Sequence, residues 1–546
     1  MGVLLGLVPS SSAPAPPPPS ALSSSSSSAA PTLGIVWTPP SPPDSALSAL
    51  DRIAATGATA VRLTRLPPDT IAGRADSLGL RLYVDLPIRH ASAASLADTL
   101  SRVGPTLTRL LALADRHPSI THVGLAQGVD TTVPQTCEHL RRWASRVHGR
   151  SPSLQTYYVT PFASTADRCQ DAVDRPLLDL RGRPRPAEQW RAWPAHTNGV
   201  GIGALGTWTR PSASSGLQVP HSAERQARYL ETSLSRLLNS SRTAPPVVFV
   251  ARWQDAATPP LSARHYGLHD AAGIPRPAAR VVQGIYADAQ RTFAFPDGSP
   301  PASSYGLVLV GWGLVAALGL LYARSLFVRE TVVRYFAAPG FYRDALRNGR
   351  DASFGANGLL LGLVGGSLGL TATRMAQLAA AAPVTEHVLA ALPPVVRTAL
   401  APGIRYPVLA GLVVGGGAIV GLLLWMGILV ATARLGMRFS GAQGLMLIAW
   451  PCWPVLLVPP IALAAGPGAP LSPSLFSLML LGGGALALLS VSFRVLFDHW
   501  RVCDPPAWTL LPLVALSPLV LVGTSLLGAA QYGVPFLFLW RLAVYA

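Results

Sequence analysis

Lysine is absent from this chain of 546 residues, so all 43 of its Lys/Arg side chains are arginine. The formal charge of +17 is therefore no simple nucleic-acid footprint. Such a groove interleaves basic side chains with aromatics, and no arginine-rich run here does so. A lysine-free sequence rich in Ala, Gly, Pro and Arg reads instead as GC-rich coding, and no nucleic-acid partner is expected. Charge of either sign is scarce, at 13% of residues, against about a quarter in soluble proteins. Cysteine, with four residues, is too sparse for a disulfide scaffold. Cys452 and Cys503 fall in or beside apolar runs, where small apolar filling is the ordinary use. Cys137 and Cys169 lie in more polar sequence; they can pair if that region is extracytoplasmic and brings them together.

Reactive constellations are also scarce. His265 and His269 have i,i+4 spacing without a Glu or Cys partner, so no metal site or cofactor is expected. Ser-His-Asp chemistry has no nucleophile elbow. Asp498, His499, Arg501 and Asp504 crowd one segment, which reads as a solvated loop. The apolar runs hold almost no ionisable residue, which argues against a proton-coupled transporter.

What the chain has is a division at Ser304. Residues 1–33 combine a short apolar run, Val3 to Val8, with Pro- and Ser-rich low complexity. They read as a weak signal and a disordered leader. Residues 34–295 alternate β-rich runs with amphipathic stretches. Eight strands are expected, at Gly34–Trp37, Ala60–Thr64, Leu80–Leu86, His122–Gln127, Leu154–Thr160, Pro176–Leu180, Val200–Trp208 and Val247–Trp253. Helical patterns separate them, except after the fifth strand, where the connection is short. The number and order predict an α/β fold, a (β/α)8 TIM barrel, with an open doubly wound sheet as the alternative.

After a linker at 296–304, residues 305–546 read as an all-α transmembrane bundle of about six helices. The expected spans are Tyr305–Tyr322, Phe354–Ala372, Val408–Ala431, Leu445–Ala465, Leu475–Val491 and Trp508–Gly528. Glycines such as those in Gly362–Ser367 predict close helix contacts. Arginine is uneven across the loops. Arg324, Arg329, Arg334, Arg343, Arg347 and Arg350 follow the first span, and Arg434, Arg438, Arg494 and Arg501 share its side. The opposite short loops hold Arg374, Arg397 and Arg405. The positive-inside rule puts the first loop in the cytoplasm and the barrel outside. An integral protein of a bacterial inner or plasma membrane is expected, with the lipid bilayer as a partner.

The barrel region resembles the retaining glycoside hydrolases with (β/α)8 catalytic domains, most of all the β-galactosidase and β-glucuronidase family. GIVW (Gly34–Trp37) and GATAVRLTRLPPDTIAGRADSLGLRLYVDLP (Gly57–Pro87) are similar to that family's early strands. DRHPSITHVGLAQG (Asp115–Gly128) is similar to the stretch that ends in the acid/base pattern LGNE, and GVGIGALGTW (Gly199–Trp208) to the nucleophile pattern ITEFG. VVFVARWQD (Val247–Asp255) and HYGLHDAAGIPRPAARVV (His265–Val282) are similar to the closing strand and last helix. Retaining hydrolysis needs two carboxyl groups about 5 Å apart. The resemblance puts Gly128 at the acid/base glutamate and Ala204 at the nucleophile, so neither reacting group is present at its place. Asp130, two residues on, is the candidate for a relocated carboxylate.

The resemblance also implies sugar-facing residues: Arg62 beside the nucleophile, Gln127 at the family's Asn, and Trp253 flooring the subsite. Tyr157 or Tyr158, with Tyr158 preferred, and Trp208 would add stacking faces. Each is otherwise inherited barrel-mouth packing. Three functions follow. The first is a membrane-anchored pseudoenzyme whose C-terminal barrel face binds carbohydrate or a protein partner. The others are a divergent hydrolase or transglycosidase, and a structural assembly module of a membrane complex. RYFAAPGFYR (Arg334–Arg343), ahead of five apolar runs, resembles the start of the five-span Yip family.

Overall fold

A computed structural model of the chain describes residues 31–40, 43–193, 199–211, 213–239, 244–258, 260–300, 305–350, 352–458 and 473–545. The leader up to residue 30 lies outside the described residues. Eight strands, β1 (Thr32–Trp37), β2 (Ala60–Leu63), β3 (Arg81–Asp85), β4 (Ile120–Gln127), β5 (Gln155–Thr160), β6 (Arg175–Arg181), β7 (Gly201–Gly206) and β8 (Val247–Val250), pair in sequence order. All pairs are parallel, and β8 returns to β1, with Thr32 opposite Val247, to close a barrel.

Side-chain alternation sorts the barrel into two layers. Val247 and Phe249 of β8 point inward, with Tyr83, Tyr157 and Val159, while Val248 and Val250 pack against the helical ring. Gly34 is glycine because a Cβ there would overlap the Phe249 ring. Helices such as Ala93–Ala114 and Ala223–Leu238 lay buried leucines on the strands, and Ser92 and Ser222 cap their N-termini. After β5 there is only a three-residue turn, Gln170–Ala172. Cys169, beside it, is disulfide-bonded to Cys137 in the helix Pro134–Arg150.

The C-terminal half is helical. Among the described residues, three helices are long and apolar enough to cross a membrane: Gly306–Arg324, Phe354–Ala381 and Pro407–Ala433. The number becomes four if the pair Trp508–Ala515 and Pro518–Gln531, bent by 56°, is one broken span. About six were expected; of those runs, Leu445–Ala465 falls partly outside the described residues and Leu475–Val491 partly outside the described side chains. The run from Leu445 forms a helix only over Gly441–Ala449, and all seven of its residues from Gln443 to Ala449 are buried in the bundle. Pro451 and Pro454 then interrupt it, and the end of the expected span lies outside the described residues. The run Leu475–Val491 falls within the helix Pro473–Cys503, and part of it lies outside the described side chains. Phe354–Ala381 and Pro407–Ala433 meet through Gly365, Gly369, Gly411 and Gly415, close enough that a Cβ on Gly369 would stand 2.9 Å from the Gly411 carbonyl. Leu412 and Val413 are 68% and 65% exposed on the outer face.

Of the charged segment expected as a loop, Asp498, His499 and Arg501 lie in the helix Pro473–Cys503, and Asp504 follows its end. Asp498 is fully buried and takes Arg343 at 3.0 Å and Arg494 at 2.8 Å. That cluster lies near the start of Phe354–Ala381, and the barrel meets the helix's other end. The 28 residues between correspond to about 42 Å at 1.5 Å per residue.

Candidate functional site at the barrel mouth

The C-terminal ends of the strands are where a barrel presents its chemistry. Arg62 of β2, only 1% exposed, is the centre of the inner ring. Its Nε and Nη2 donate to Asp85 on β3 at 3.1 and 2.7 Å, and Nη1 donates to the Gly203 carbonyl on β7 at 2.9 Å. The Tyr157 hydroxyl of β5 donates to the same carboxylate at 2.7 Å. On β6, Asp179 takes both Nε and Nη2 of Arg181. Burial alone would raise the Asp179 carboxyl, but the Arg181 guanidinium outweighs it and holds the group below the usual carboxylate range.

Over this ring lies the chain's own C-terminal half. The connection between Phe354–Ala381 and Pro407–Ala433 contains the helices Thr385–Ala391 and Pro394–Arg405. His387 Nδ1 is 3.0 Å from His90 Nε2, and its Nε2 is 3.6 Å from Asp179. Burial pushes both imidazoles down, His387 to about 4. Glu386 accepts from Ser262 at 3.0 Å and stands 3.5 Å from Arg181. Arg264 donates to the carbonyls of Ala380 and Ala382, both at 2.7 Å, and caps the end of Phe354–Ala381. The final helix, Phe536–Tyr545, completes the contact: Arg541 pairs with Asp130 at 2.7 Å, and Phe538 and Leu542 pack on Phe162.

Between barrel and cover lies a cavity of about 270 Å³, lined by Arg62, Arg89, Arg181, Arg252, Arg264 and Arg397. Among the described residues, Glu386 is the sole carboxylate in its lining. Among the described residues there is no group of three His, Cys, Asp or Glu able to hold a metal ion.

The sequence-derived positions divide. Arg62, Gln127 and Ala204 line the cavity. Gly128 sits at its edge with φ +63°, and a Cβ there would stand 2.8 Å from the His90 ring. Asp130 does not line the cavity; Arg541 and Thr132, the latter at 2.6 Å, hold it. Tyr158 faces the helical layer and donates to Asp167 at 2.9 Å, so its neighbour Tyr157 is the inward residue. Trp253 is likewise outside the lining, buried with His269 at 4.1 Å, and Arg252 before it reaches the cavity. Trp208 has its faces covered, by His221 at 4.5 Å and by the Arg264 guanidinium at 4.1 Å. Sequence reasoning missed Arg89, Arg181, Arg252, Arg264, Glu386 and Arg397. The one available signal was the pair Glu386-His387 in a short connection between apolar runs.

No family model and no curated protein matches the chain. Among solved structures it is similar to a GH2 β-galacturonidase from Eisenbergiella tayi, at 18% identity over 48% of this chain and 52% of that one, with a TM-score of 0.42. A β-glucuronidase from an uncultured Clostridium species gives 12% identity, 47% and 50% coverage, and a TM-score of 0.43. One from Ruminococcus gnavus, in complex with D-glucaro 1,5-lactone, gives 16%, 47%, 49% and 0.43. The chain spans about half the length of these proteins. Values this low carry no argument about activity, and the barrel stands on its own strand pairing.

Proposed function

We propose that this chain is a membrane-anchored pseudoenzyme, a glycoside-hydrolase-like barrel whose mouth is a non-hydrolytic binding chamber closed by its own C-terminal half. The observation that carries this reading is the state of the carboxylates. Asp85 is held by Arg62 and Tyr157, Asp179 by Arg181, and Asp130 by Arg541. Glycoside hydrolysis needs one carboxyl group to deliver a proton and a second to attack or to activate water. Gly128 and Ala204 supply neither. The chamber, at about 270 Å³, suits a ligand of about one sugar's size rather than a polymer.

Three helices of spanning length support the anchoring, with their outer faces apolar and exposed. The Cys137–Cys169 disulfide supports an extracytoplasmic barrel. So does the barrel's place at the end of the bundle away from the arginine-rich loops. The close docking of barrel on helices meets part of the assembly reading within a single chain.

One observation favours a second reading. Glu386 faces the cavity and comes from outside the barrel, so it is a better relocated carboxylate than Asp130. The test is turnover of a panel of nitrophenyl glycosides and oligosaccharides by the full chain in detergent. Rates equal to buffer are expected. Turnover that Glu386→Gln abolishes would replace the pseudoenzyme with a divergent hydrolase.

A further inference from the structure

The chamber holds more positive charge than the chain neutralises. Arg62 and Arg181 have carboxylates, and Arg264 is engaged by backbone carbonyls. Three lining arginines have no carboxylate partner among the described residues. Arg89 donates to the Thr64 carbonyl at 3.0 Å. The Arg252 and Arg397 side chains form no hydrogen bond or ion pair among the described residues, and Arg397 Nε is buried without a partner. Two of the three come from the barrel, after β3 and β8. The third comes from the helix Pro394–Arg405 of the cover. The surplus therefore exists only where the two halves close on each other.

Guanidinium groups brought together in a partly dehydrated space repel one another and have lost water, a cost that an anion removes. Burial holds Arg89 and Arg252 below the ordinary arginine value with help from neighbouring arginines, and the more distant carboxylates, Asp85 for Arg89 and Asp255 and Glu386 for Arg252, do not outweigh it. The arginine fork fits the oxygens of carboxylate or phosphate. A carboxylate offers two oxygens, too few for three forks, whereas a phosphate monoester offers three and two charges. The cavity volume is about 270 Å³. That is room for a phosphate or diphosphate and the first atoms attached to it. Leu389 and Ala390, beside Arg397, give the same cavity an apolar wall on the side of the cover.

We propose that the chamber is a phosphate site in which Arg89, Arg252 and Arg397 grip the phosphate of a small phosphorylated ligand. This rests on the closed-chamber reading above and names its ligand class. The phosphate can belong to a soluble ester or to a lipid headgroup at the membrane surface.

The test is calorimetric titration of the full chain, in phosphate-free detergent, with inorganic pyrophosphate. A parallel arm measures retention of phosphatidic acid by the full chain in phosphatidylcholine nanodiscs. Arg252→Gln and Arg397→Gln should each weaken binding roughly ten- to hundredfold, the loss of a charge-assisted contact, and Arg252→Lys should restore part of it. Neither side chain has an internal partner, so both variants should fold. Pyrophosphate binding that phosphatidic acid does not compete for would support a soluble ester. Arginine-dependent retention of phosphatidic acid would support a headgroup. Binding of neither by folded protein, or binding that both variants leave unchanged, would overturn the proposal. Glycoside turnover on the same samples reports separately on the pseudoenzyme reading, because a turning-over chain could still bind phosphate.

Discussion

The barrel mouth contains two layers of arginine that differ in one respect. In the inner layer Arg62 and Arg181 each lock onto an aspartate. In the rim layer Arg89, Arg252 and Arg397 line the cavity without a hydrogen-bonded carboxylate of their own among the described residues. A buried, paired arginine organises strands: Arg62 alone links β2, β3 and β7. An arginine that faces a cavity without a carboxylate of its own contributes less to the fold and leaves donors for a ligand. The difference separates what this mouth inherited as structure from what it offers to a ligand.

Breaking the inner layer should have the largest effect. Arg62→Met leaves Asp85 buried without its cation and is expected to destabilise the barrel by about 3–5 kcal/mol, read as a fall in the fluorescence-detected unfolding transition of the full chain.

Acid should act next, on the contact between the halves. His387 is held neutral by burial, at about 4 against an ordinary 6.5, so protonation favours the open form. Stability should be flat above about pH 7 and fall as pH drops from 6.5 towards 4, by roughly 3 kcal/mol at the acid limit. His90 works in the same direction, facing His387, Arg181, Asp179 and Arg89, while His387 itself faces Asp179, Arg181, Arg183 and Arg264. Hydrogen exchange across Thr385–Ala391 measures it, and protection unchanged at pH 4.5 would exclude the assignment.

Asp130→Asn removes the tie to Arg541 and should cost about 1 kcal/mol, seen as faster proteolysis of the helix Phe536–Tyr545 with the barrel's own unfolding little changed. The smallest effect on stability is expected from the rim: Arg252→Gln should lie within about 0.5 kcal/mol of the parent. If Arg252→Gln unfolded the barrel as Arg62→Met does, the two layers would not differ.

The barrel was legible because its signals are local. Eight short β-rich runs with helical patterns between them give the strand order, and parallel pairing follows from the crossovers. The inner ring was partly legible, through Arg62, Gln127 and Ala204. Tyr158 was misplaced because two adjacent tyrosines look identical until the parity of β5 is known. Trp253, expected at the floor of the subsite, lies outside the cavity lining, and Arg252, one residue earlier at the end of β8, reaches it. Hydropathy sums an apolar run without regard to where prolines break it, as at Pro451, Pro454 and Pro518, so fewer helices of spanning length stand among the described residues than apolar runs in the sequence. The rim arginines were illegible for a different reason. Arg89 and Arg397 lie more than 300 positions apart in the numbering, and only the docking of one half on the other brings them to a single cavity.

That docking is the central claim, and photo-crosslinking tests it most directly. A benzoylphenylalanine in place of Ser262, whose hydroxyl donates to Glu386 at 3.0 Å, would be irradiated in the full chain in native membranes and the products mapped by mass spectrometry. Crosslinks to residues 379–391 are predicted. Crosslinks confined to the barrel, from a folded chain, would mean that the mouth is open and the chamber does not exist.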